Sequence, residues 1–223
     1  MKRKMKRIIL ITTLSLGGLG LIFGQNFQDG GYANLDEFKN NTPKYADVFE
    51  VIKRTEGDIL AWGGNDYKVK STDKTIKNKA IKREIWGIVK NDTLFLNGYY
   101  LTELNWYVKV EIFGKYCFLK PALPVNRKIV KALELDQQPN YGMMFGAVGG
   151  AIQGAQLAVA RIPLIYNLQN GESKLLNKKN IFELLQNFPD LKNEFEQETN
   201  RTDESILLKY LIKLNEKDSN WRN

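Results

Sequence analysis

The stretch Lys82–Lys120, KREIWGIVKNDTLFLNGYYLTELNWYVKVEIFGKYCFLK, is the densest run of aromatic and β-branched residues in the chain. Asn91-Asp92 separates two apolar runs within it, and both residue types tolerate the positive φ of a two-residue hairpin turn. Gly114-Lys115 separates a second pair of runs, with glycine at the position that a type II′ turn favours. The stretch therefore predicts a twisted antiparallel β-meander.

Alternation along the strands predicts which side chains share a face of this meander. A turn at Gly114-Lys115 would set Val110 opposite Leu119 and Ile112 opposite Cys117. One face then contains Trp106, Val108, Val110, Ile112, Cys117 and Leu119, and the other contains Tyr107, Lys109, Glu111, Phe113, Tyr116 and Phe118. In the Asn91-Asp92 hairpin the two faces are Gly87, Val89, Leu94 and Leu96 against Trp86, Ile88 and Phe95.

Both faces of the meander are largely apolar, unlike those of an antiparallel sheet with one wet face. Either helices cover the second face, or the sheet curls into a barrel-like shape. The alternative is an exposed aromatic face used for binding, which would consist of Tyr107, Phe113, Tyr116 and Phe118. Buried aromatics are the commoner arrangement and are expected here.

The N-terminus has the pattern of a secretory signal peptide. Met1–Arg7 contains five basic residues, and the apolar run from Ile8 to Phe23 is 16 residues long. That run is short of the roughly 20 residues that span a bilayer. Residues 1–24 are therefore expected to direct export to the periplasm or beyond, with an uncleaved N-terminal anchor as the alternative.

The formal charge of +8 comes mostly from this N-terminal segment. Without its five basic residues, 28 lysines and arginines face 25 acidic residues, a charge of +3. This balance argues against a nucleic-acid partner. A local basic run remains at Lys68, Lys70, Lys74, Lys77, Lys79, Lys82 and Arg83. Because no aromatic residues are interleaved with the run, it is interpreted as a solvated loop or strand edge.

The composition excludes several chemistries. The chain has no histidine, which removes Ser-His-Asp and Cys-His catalysis and histidine-ligated metal sites. Its one cysteine, Cys117, falls on the core face and is expected to be a buried small hydrophobe. A carboxylate-based hydrolase is a weaker alternative, because Asp36/Glu37 and Asp203/Glu204 stand at predicted helix starts. No catalytic, metal or cofactor residue is assigned, and a non-enzymatic protein is expected.

The order of elements along the chain predicts the fold class. A helix is expected after the cap residue Asn34. Strands are expected at Val48–Arg54, Asp58–Trp62, Tyr67–Lys70 and Ile162–Leu168. Helical stripes follow at Ile181–Phe188 and Leu191–Glu198, with a last helix capped by Thr202. Strands first and helices last indicate one α+β domain over residues 25–223, β-rich at 45–135, glycine-rich at 142–160 and helical at 178–216.

A glycine ladder recurs every four residues at Gly142, Gly146, Gly150 and Gly154. On a helix these positions share a face, which would form a groove without side chains. The expected arrangement is a helix, or a helix and loop, packed on the second face of the meander. A membrane-inserting or self-associating glycine zipper is the first alternative, and Gln153 and Gln156 argue against lipid exposure. A glycine-rich ligand loop is the second, although the segment lacks the ending of a phosphate loop.

Several of these segments resemble an uncharacterised family of secreted proteins from Bacteroidetes-type bacteria. The resemblance rests on Gly31-Tyr32, Leu35–Pro43, Ile85–Gly87, Leu94–Asn97, Gly114–Cys117, the glycine segment and Asn180–Phe195. These are structural turns and caps, and the family supplies no activity. The resemblance implies only export to the cell envelope.

Two functions are therefore expected in order. The first is a non-enzymatic envelope or periplasmic domain that binds an unknown protein or envelope partner. The second is a membrane-associated or self-assembling protein that uses the glycine ladder at 142–158.

Overall fold

The computed structural model describes residues 27–122, 161–219 and 221, which form an antiparallel sheet with helices packed on it. The described strands are β1 (Gly30–Tyr32), β2 (Phe49–Lys53), β3 (Tyr67–Ser71), β4 (Gly87–Lys90), β5 (Thr93–Asn97), β6 (Tyr107–Ile112), β7 (Tyr116–Leu119), β8 (Leu164–Asn167) and β9 (Ser173–Leu175). The described helices are α1 (Leu35–Lys39), α2 (Glu56–Trp62), α3 (Asn78–Arg83), α4 (Gly98–Thr102), α5 (Lys178–Leu184), α6 (Pro189–Gln197) and α7 (Glu204–Lys217), with a 3₁₀ turn at Leu185–Asn187. The predicted α+β class is confirmed.

The strands pair in the order β1-β4-β5-β6-β7-β8-β9, and β3 joins β2 to the start of β6. Strand β6 is shared: its first half pairs with β5 and β3, and its second half with β7. An isolated bridge between Gly31 and Tyr45 brings the segment before β2 against β1. The sheet therefore curls strongly but stays open.

The Asn91-Asp92 hairpin is formed as predicted. Both residues have positive φ, 49° and 55°, and Lys90 faces Thr93 across the turn. Positive φ at both central positions is the mark of a type I′ turn, whose twist matches that of the flanking strands. The predicted faces hold as well, except that Trp86 precedes β4 and packs on the same side as Val89.

The second hairpin differs from the prediction in its turn and in part of its register. Val110 faces Leu119 as expected, but a bulge sets Ile112 opposite Phe118. An extra residue on one strand reverses the faces beyond it. Ile112 therefore packs with the C-terminal helices and Phe113 with the other cluster, which corrects the predicted faces. Gly114 lacks the positive φ that a type II′ turn requires there.

Buried side chains form three clusters, each of which includes residues of the sheet. The first joins β4–β9 on one face, including Cys117, which is fully buried as predicted. The second lies between β7–β8 and helices α5–α7. The third lies under α3 and includes Phe49, Val69, Ile88, Phe95 and Tyr107. The expected cover of the second face by helices is thus confirmed for Tyr116 and Phe118.

Helix ends follow local capping chemistry, with two corrections. Asn34 accepts a hydrogen bond from the N–H of Glu37 and starts α1 as predicted. The predicted strand Asp58–Trp62 is wrong, because Thr55 and Asp58 form a reciprocal capping box that starts α2. The cap of α7 is Asp203 rather than Thr202, with its carboxylate accepting from the N–H of Ser205.

Two predicted features lie outside the described residues: the N-terminal segment 1–24 and the glycine ladder at Gly142, Gly146, Gly150 and Gly154. The residues that flank 123–160 lie next to each other. Ala122 and Arg161 form an isolated antiparallel bridge, and the N–H of Ile162 donates to the carbonyl of Pro121 at 2.9 Å. Ala122 and Arg161 are therefore neighbours in space.

Candidate functional site

Trp106, the residue immediately before β6, is held in an unusual backbone conformation. Its φ is +74°, and Glu103 in the same connection has φ +60°. A bulky residue at positive φ is a steric outlier, and such strain persists only where the surroundings fix it. Here the N–H of Gly98 donates to the Trp106 carbonyl at 2.8 Å, and the N–H of Asn65 donates to the Asn105 carbonyl at 3.1 Å.

Two glycines let Asn65 reach this connection. Asn65 is fully buried, and its Nδ2 donates to the Asn105 carbonyl at 3.2 Å while its Oδ1 accepts from the N–H of Ala122 at 2.6 Å. A Cβ on Gly98 would overlap Asn65 Nδ2, and one on Gly64 would lie 3.0 Å from Trp106 Cδ1. The Trp106 backbone is therefore clamped from both sides.

Three positive side chains surround the Trp106 indole. The Nζ of Lys82 lies 5.1 Å from the ring centroid, the Nζ of Lys68 lies 5.3 Å from it, and the Arg54 guanidinium carbon lies 5.7 Å from it. They come from α3, from β3 and from the end of β2, so the fold alone brings them together. The negative face of an indole attracts cations at such distances.

Arg54 is the fixed member of this group. Its Nη1 donates to the carbonyls of Gly63 and Asn65 at 2.7 and 2.8 Å, and its Nη2 donates to the Asp58 carbonyl at 2.9 Å. Burial lowers the pKa of the Arg54 guanidinium, and the charge of Arg161 also acts in that direction, against Asp58 and Asp66. An arginine remains protonated after such a shift, so the positive charge is anchored behind the ring.

A second aromatic group adjoins the first at the end of α3. The Arg83 guanidinium lies 4.1 Å from the Tyr99 ring centroid, and the Tyr100 hydroxyl donates to the Arg83 carbonyl at 2.9 Å. Tyr99 and Tyr100 are 36% and 46% exposed. The two groups together are called the aromatic–cation surface below. This surface consists of Arg54, Lys68, Lys82, Arg83, Tyr99, Tyr100 and Trp106.

Positive charge exceeds negative charge at this surface. Asp58 is engaged in capping α2, and Asp66 is ion-paired with Arg161. Within residues 27–122 and 161–219, Lys68, Lys82 and Arg83 form no ion pair with a carboxylate. The surface can therefore attract an anion without first displacing a protein carboxylate.

An open groove of about 480 Å³ is lined in part by residues of α3. Its charged lining residues are Lys44, Asp73, Lys77, Lys79 and Glu84. The Asp73 carboxylate accepts hydrogen bonds from the N–H and hydroxyl of Thr75 at 2.8 and 2.7 Å, which hold the pKa of that carboxyl below its usual range. Asp73 is thus committed to a turn, which leaves Glu84 and three lysines as the other charged residues of the groove.

The aromatic residues considered from the sequence lie elsewhere. Tyr107 belongs to the cluster under α3, and Tyr116 and Phe118 pack against α5–α7. Phe113 is half-buried and packs against the cluster that contains Cys117. These four residues therefore do not form one exposed face. The acidic pairs also have local roles: Glu37 accepts from the N–H of Ala33, Asp203 caps α7, and Glu204 pairs with Lys120.

Sequence reasoning identified the basic run but missed its aromatic neighbours. Lys68, Lys82 and Arg83 belong to that run, whereas Trp106 and Tyr99 are distant in sequence and reach it only through sheet pairing and the α4 turn. No local pattern around Trp106 signals this proximity. In the described part of the chain no cluster of three acidic or cysteine side chains is placed to hold a metal ion. Within the same residues, every helix is too short or too polar to cross a bilayer.

Comparison with known proteins gives a family and no activity. No curated protein and no solved structure matches the chain at a significant level. A family model matches residues 30–218, which include every described strand and helix. The chain belongs to this family, DUF6563, a family of unknown function.

Proposed function

We propose that this protein is an exported, non-enzymatic domain that binds an envelope or extracellular partner through the aromatic–cation surface. The observation that carries the proposal is the strained Trp106 with three cations around its ring. Strained backbone concentrates at functional sites, and a scaffold of buried hydrogen bonds fixes the strain here. Aromatic and arginine side chains are also the residues that dominate binding energy at interfaces.

Export is supported by the sequence pattern of residues 1–24, a basic start followed by an apolar run. A binding role in place of catalysis is supported by the composition. The chain lacks histidine, and its one cysteine is buried where no substrate reaches it. The acidic pairs named above serve helix starts and ion pairs, which gives them a structural purpose.

The test has two parts. First, the full chain is expressed in its native host and cells are fractionated, with the mass of the recovered protein measured. We expect the protein in the periplasmic or extracellular fraction, shortened by the N-terminal segment. Recovery of the full-length chain from the cytoplasm would contradict export.

Second, amide hydrogen exchange is measured with and without the isolated envelope fraction of that host. We expect protection of the segments around Arg54, Lys82 and Trp106. Unchanged exchange in these segments would contradict the proposed surface. Tight retention in membranes with no protection there would favour the alternative, association through the glycine ladder at 142–158.

A further inference from the structure

The arrangement around Trp106 brings three positive charges together, and the two carboxylates that act on Arg54 are already hydrogen-bonded or ion-paired to other groups. Arg54, Lys68 and Lys82 all lie within 5.7 Å of one ring centroid. Cations in such proximity repel one another, and one cation would suffice to use the face of the indole. Asp58, whose charge acts on Arg54 and Lys68, accepts hydrogen bonds from Thr55, and Asp66 is ion-paired with Arg161, so three cations share these two carboxylates with other partners. A bound anion would relieve the repulsion.

The cations also differ in mobility in a way that suits capture of an anion. Arg54 is fixed by three backbone carbonyls, whereas Lys68 and Lys82 are partly exposed and have flexible side chains. A fixed guanidinium gives the position, and two ammonium groups can adjust to oxygens of different spacing. Charge-assisted hydrogen bonds of this kind are the strong ones in protein recognition.

We infer that Arg54, Lys68 and Lys82 around Trp106 form a binding site for a multivalent oxyanion, a phosphate or sulfate group. This inference rests on the proposed function and names the chemistry of its ligand. Such a group occurs both as a free anion and as a substituent of an acidic polysaccharide. Tyr100 is 46% exposed, and its hydroxyl donates to the Arg83 carbonyl at 2.9 Å, so its ring extends the surface beyond the cations and is available to a sugar attached to the anion.

Single-stranded nucleic acid fits the surface less well. It needs open aromatic faces on which successive bases stack. Here the Tyr99 ring is covered by the Arg83 guanidinium at 4.1 Å, and the Trp106 ring is surrounded by three cations. The anionic group, and not a stack of bases, is therefore the feature that the site recognises.

The test is calorimetric titration of the purified protein with pyrophosphate, with a heparin-derived sulfated hexasaccharide and with oligothymidylate. The site variant is Lys68→Gln/Lys82→Gln. The matched controls are Lys70→Gln, which lies on the same strand two residues from Lys68, and Lys70→Gln/Lys74→Gln, which removes the same charge as the site variant. Circular dichroism checks that all variants fold.

We expect the wild type to bind pyrophosphate, the hexasaccharide or both. The site variant should lose about tenfold or more in affinity, since each charge-assisted hydrogen bond contributes on that scale, whereas the controls should change little. Binding of pyrophosphate alone identifies a free phosphate compound as the ligand. Stronger binding of the hexasaccharide identifies an acidic glycan.

The inference is overturned if neither anion binds, whether or not oligothymidylate does. It is also overturned if the control variants lose as much affinity as the site variant. Amide hydrogen exchange of the wild type, measured with and without pyrophosphate, tests the site without any variant. If pyrophosphate does not protect Trp106 and its neighbours, the inference is overturned. If the anions fail while the envelope fraction still protects these segments, the proposed function stands and only the ligand class is wrong.

Discussion

Asn215 on α7 forms two hydrogen bonds with the backbone of Tyr116 on β7, accepting from its N–H and donating to its carbonyl, both at 2.9 Å. The side-chain amide thereby forms the two backbone hydrogen bonds that a neighbouring strand would form with Tyr116. Both residues are buried, so the contact lies away from solvent. The last helix is fixed to the sheet by a polar contact as well as by apolar packing.

Asn215→Ala should lower the free energy of unfolding by about 2 kcal/mol or more, because it leaves a buried N–H and a buried carbonyl without partners. Chemical denaturation measures this change. Glu216→Ala, exposed on the same helix, is the control and should change stability by less than about 0.5 kcal/mol. Equal effects of the two substitutions would show that the Tyr116 contact adds nothing.

Gly114→Ala should destabilise the protein by about 1–3 kcal/mol, since its Cβ would overlap the Asn215 amide. The double variant Gly114→Ala/Asn215→Ala should lose clearly less than the sum of the two single losses. Removing the amide makes room for the methyl group, and a double-mutant cycle isolates this coupling. Strict additivity would contradict the close approach of Gly114 and Asn215.

Gly98→Ala should destabilise the protein by about 2 kcal/mol or more and disturb the Trp106 connection, because the Cβ would displace buried Asn65. Gly57 is the matched control, since a Cβ there meets only the Thr55 hydroxyl oxygen, at 3.9 Å, on exposed α2. Gly57→Ala should be neutral or stabilising by up to about 1 kcal/mol. Thermal unfolding and near-ultraviolet circular dichroism report both effects, and a neutral Gly98→Ala would contradict the clamp.

Tyr32 should make stability fall in strong base. Burial, aided by the charge of Asp29, raises its pKa from 10.0 to about 12. A raised folded-state pKa gives stability that is present in full below pH 10 and is lost as the pH rises from 10 to 12. The difference in unfolding free energy between wild type and Tyr32→Phe should therefore be constant up to pH 10 and change in favour of the variant above it. A difference independent of pH would contradict the shift.

Replacing residues 123–160 by a linker of about four Gly and Ser residues should leave the described fold intact. Ala122 and Arg161 already face each other across a bridge, so a short turn can join them. Far-ultraviolet circular dichroism and cooperative unfolding would show a retained fold, together with retained oxyanion binding. A chain that fails to fold would show that the sheet needs the glycine-rich segment.

The sequence was sufficient where a local pattern has a single physical meaning. Asn91-Asp92 specified its turn through positive φ, and Asn34 specified the start of α1 through its cap. It was insufficient where an extra residue changes the register, as at the bulge after Val110. It also failed for α2, because Asp58–Trp62 was expected to be a strand although Thr55 and Asp58 form the capping box of a helix.

The candidate site was beyond local patterns for a different reason. The lysines were visible as a charged run, but Trp106 reaches Lys82 only because β6 and α3 meet in the folded chain. Its positive φ also depends on tertiary hydrogen bonds from Gly98 and Asn65, which no propensity encodes. A surface assembled from distant segments needs the fold before it can be recognised.

Strand β6 belongs to both halves of the sheet, because its first residues pair with β3 and β5 and its last residues with β7. Neither half of the sheet can separate unless the hydrogen bonds between β6 and its neighbouring strands are broken. Fragments produced by limited proteolysis on either side of β6 would thus be expected to remain associated, and neither piece would persist alone.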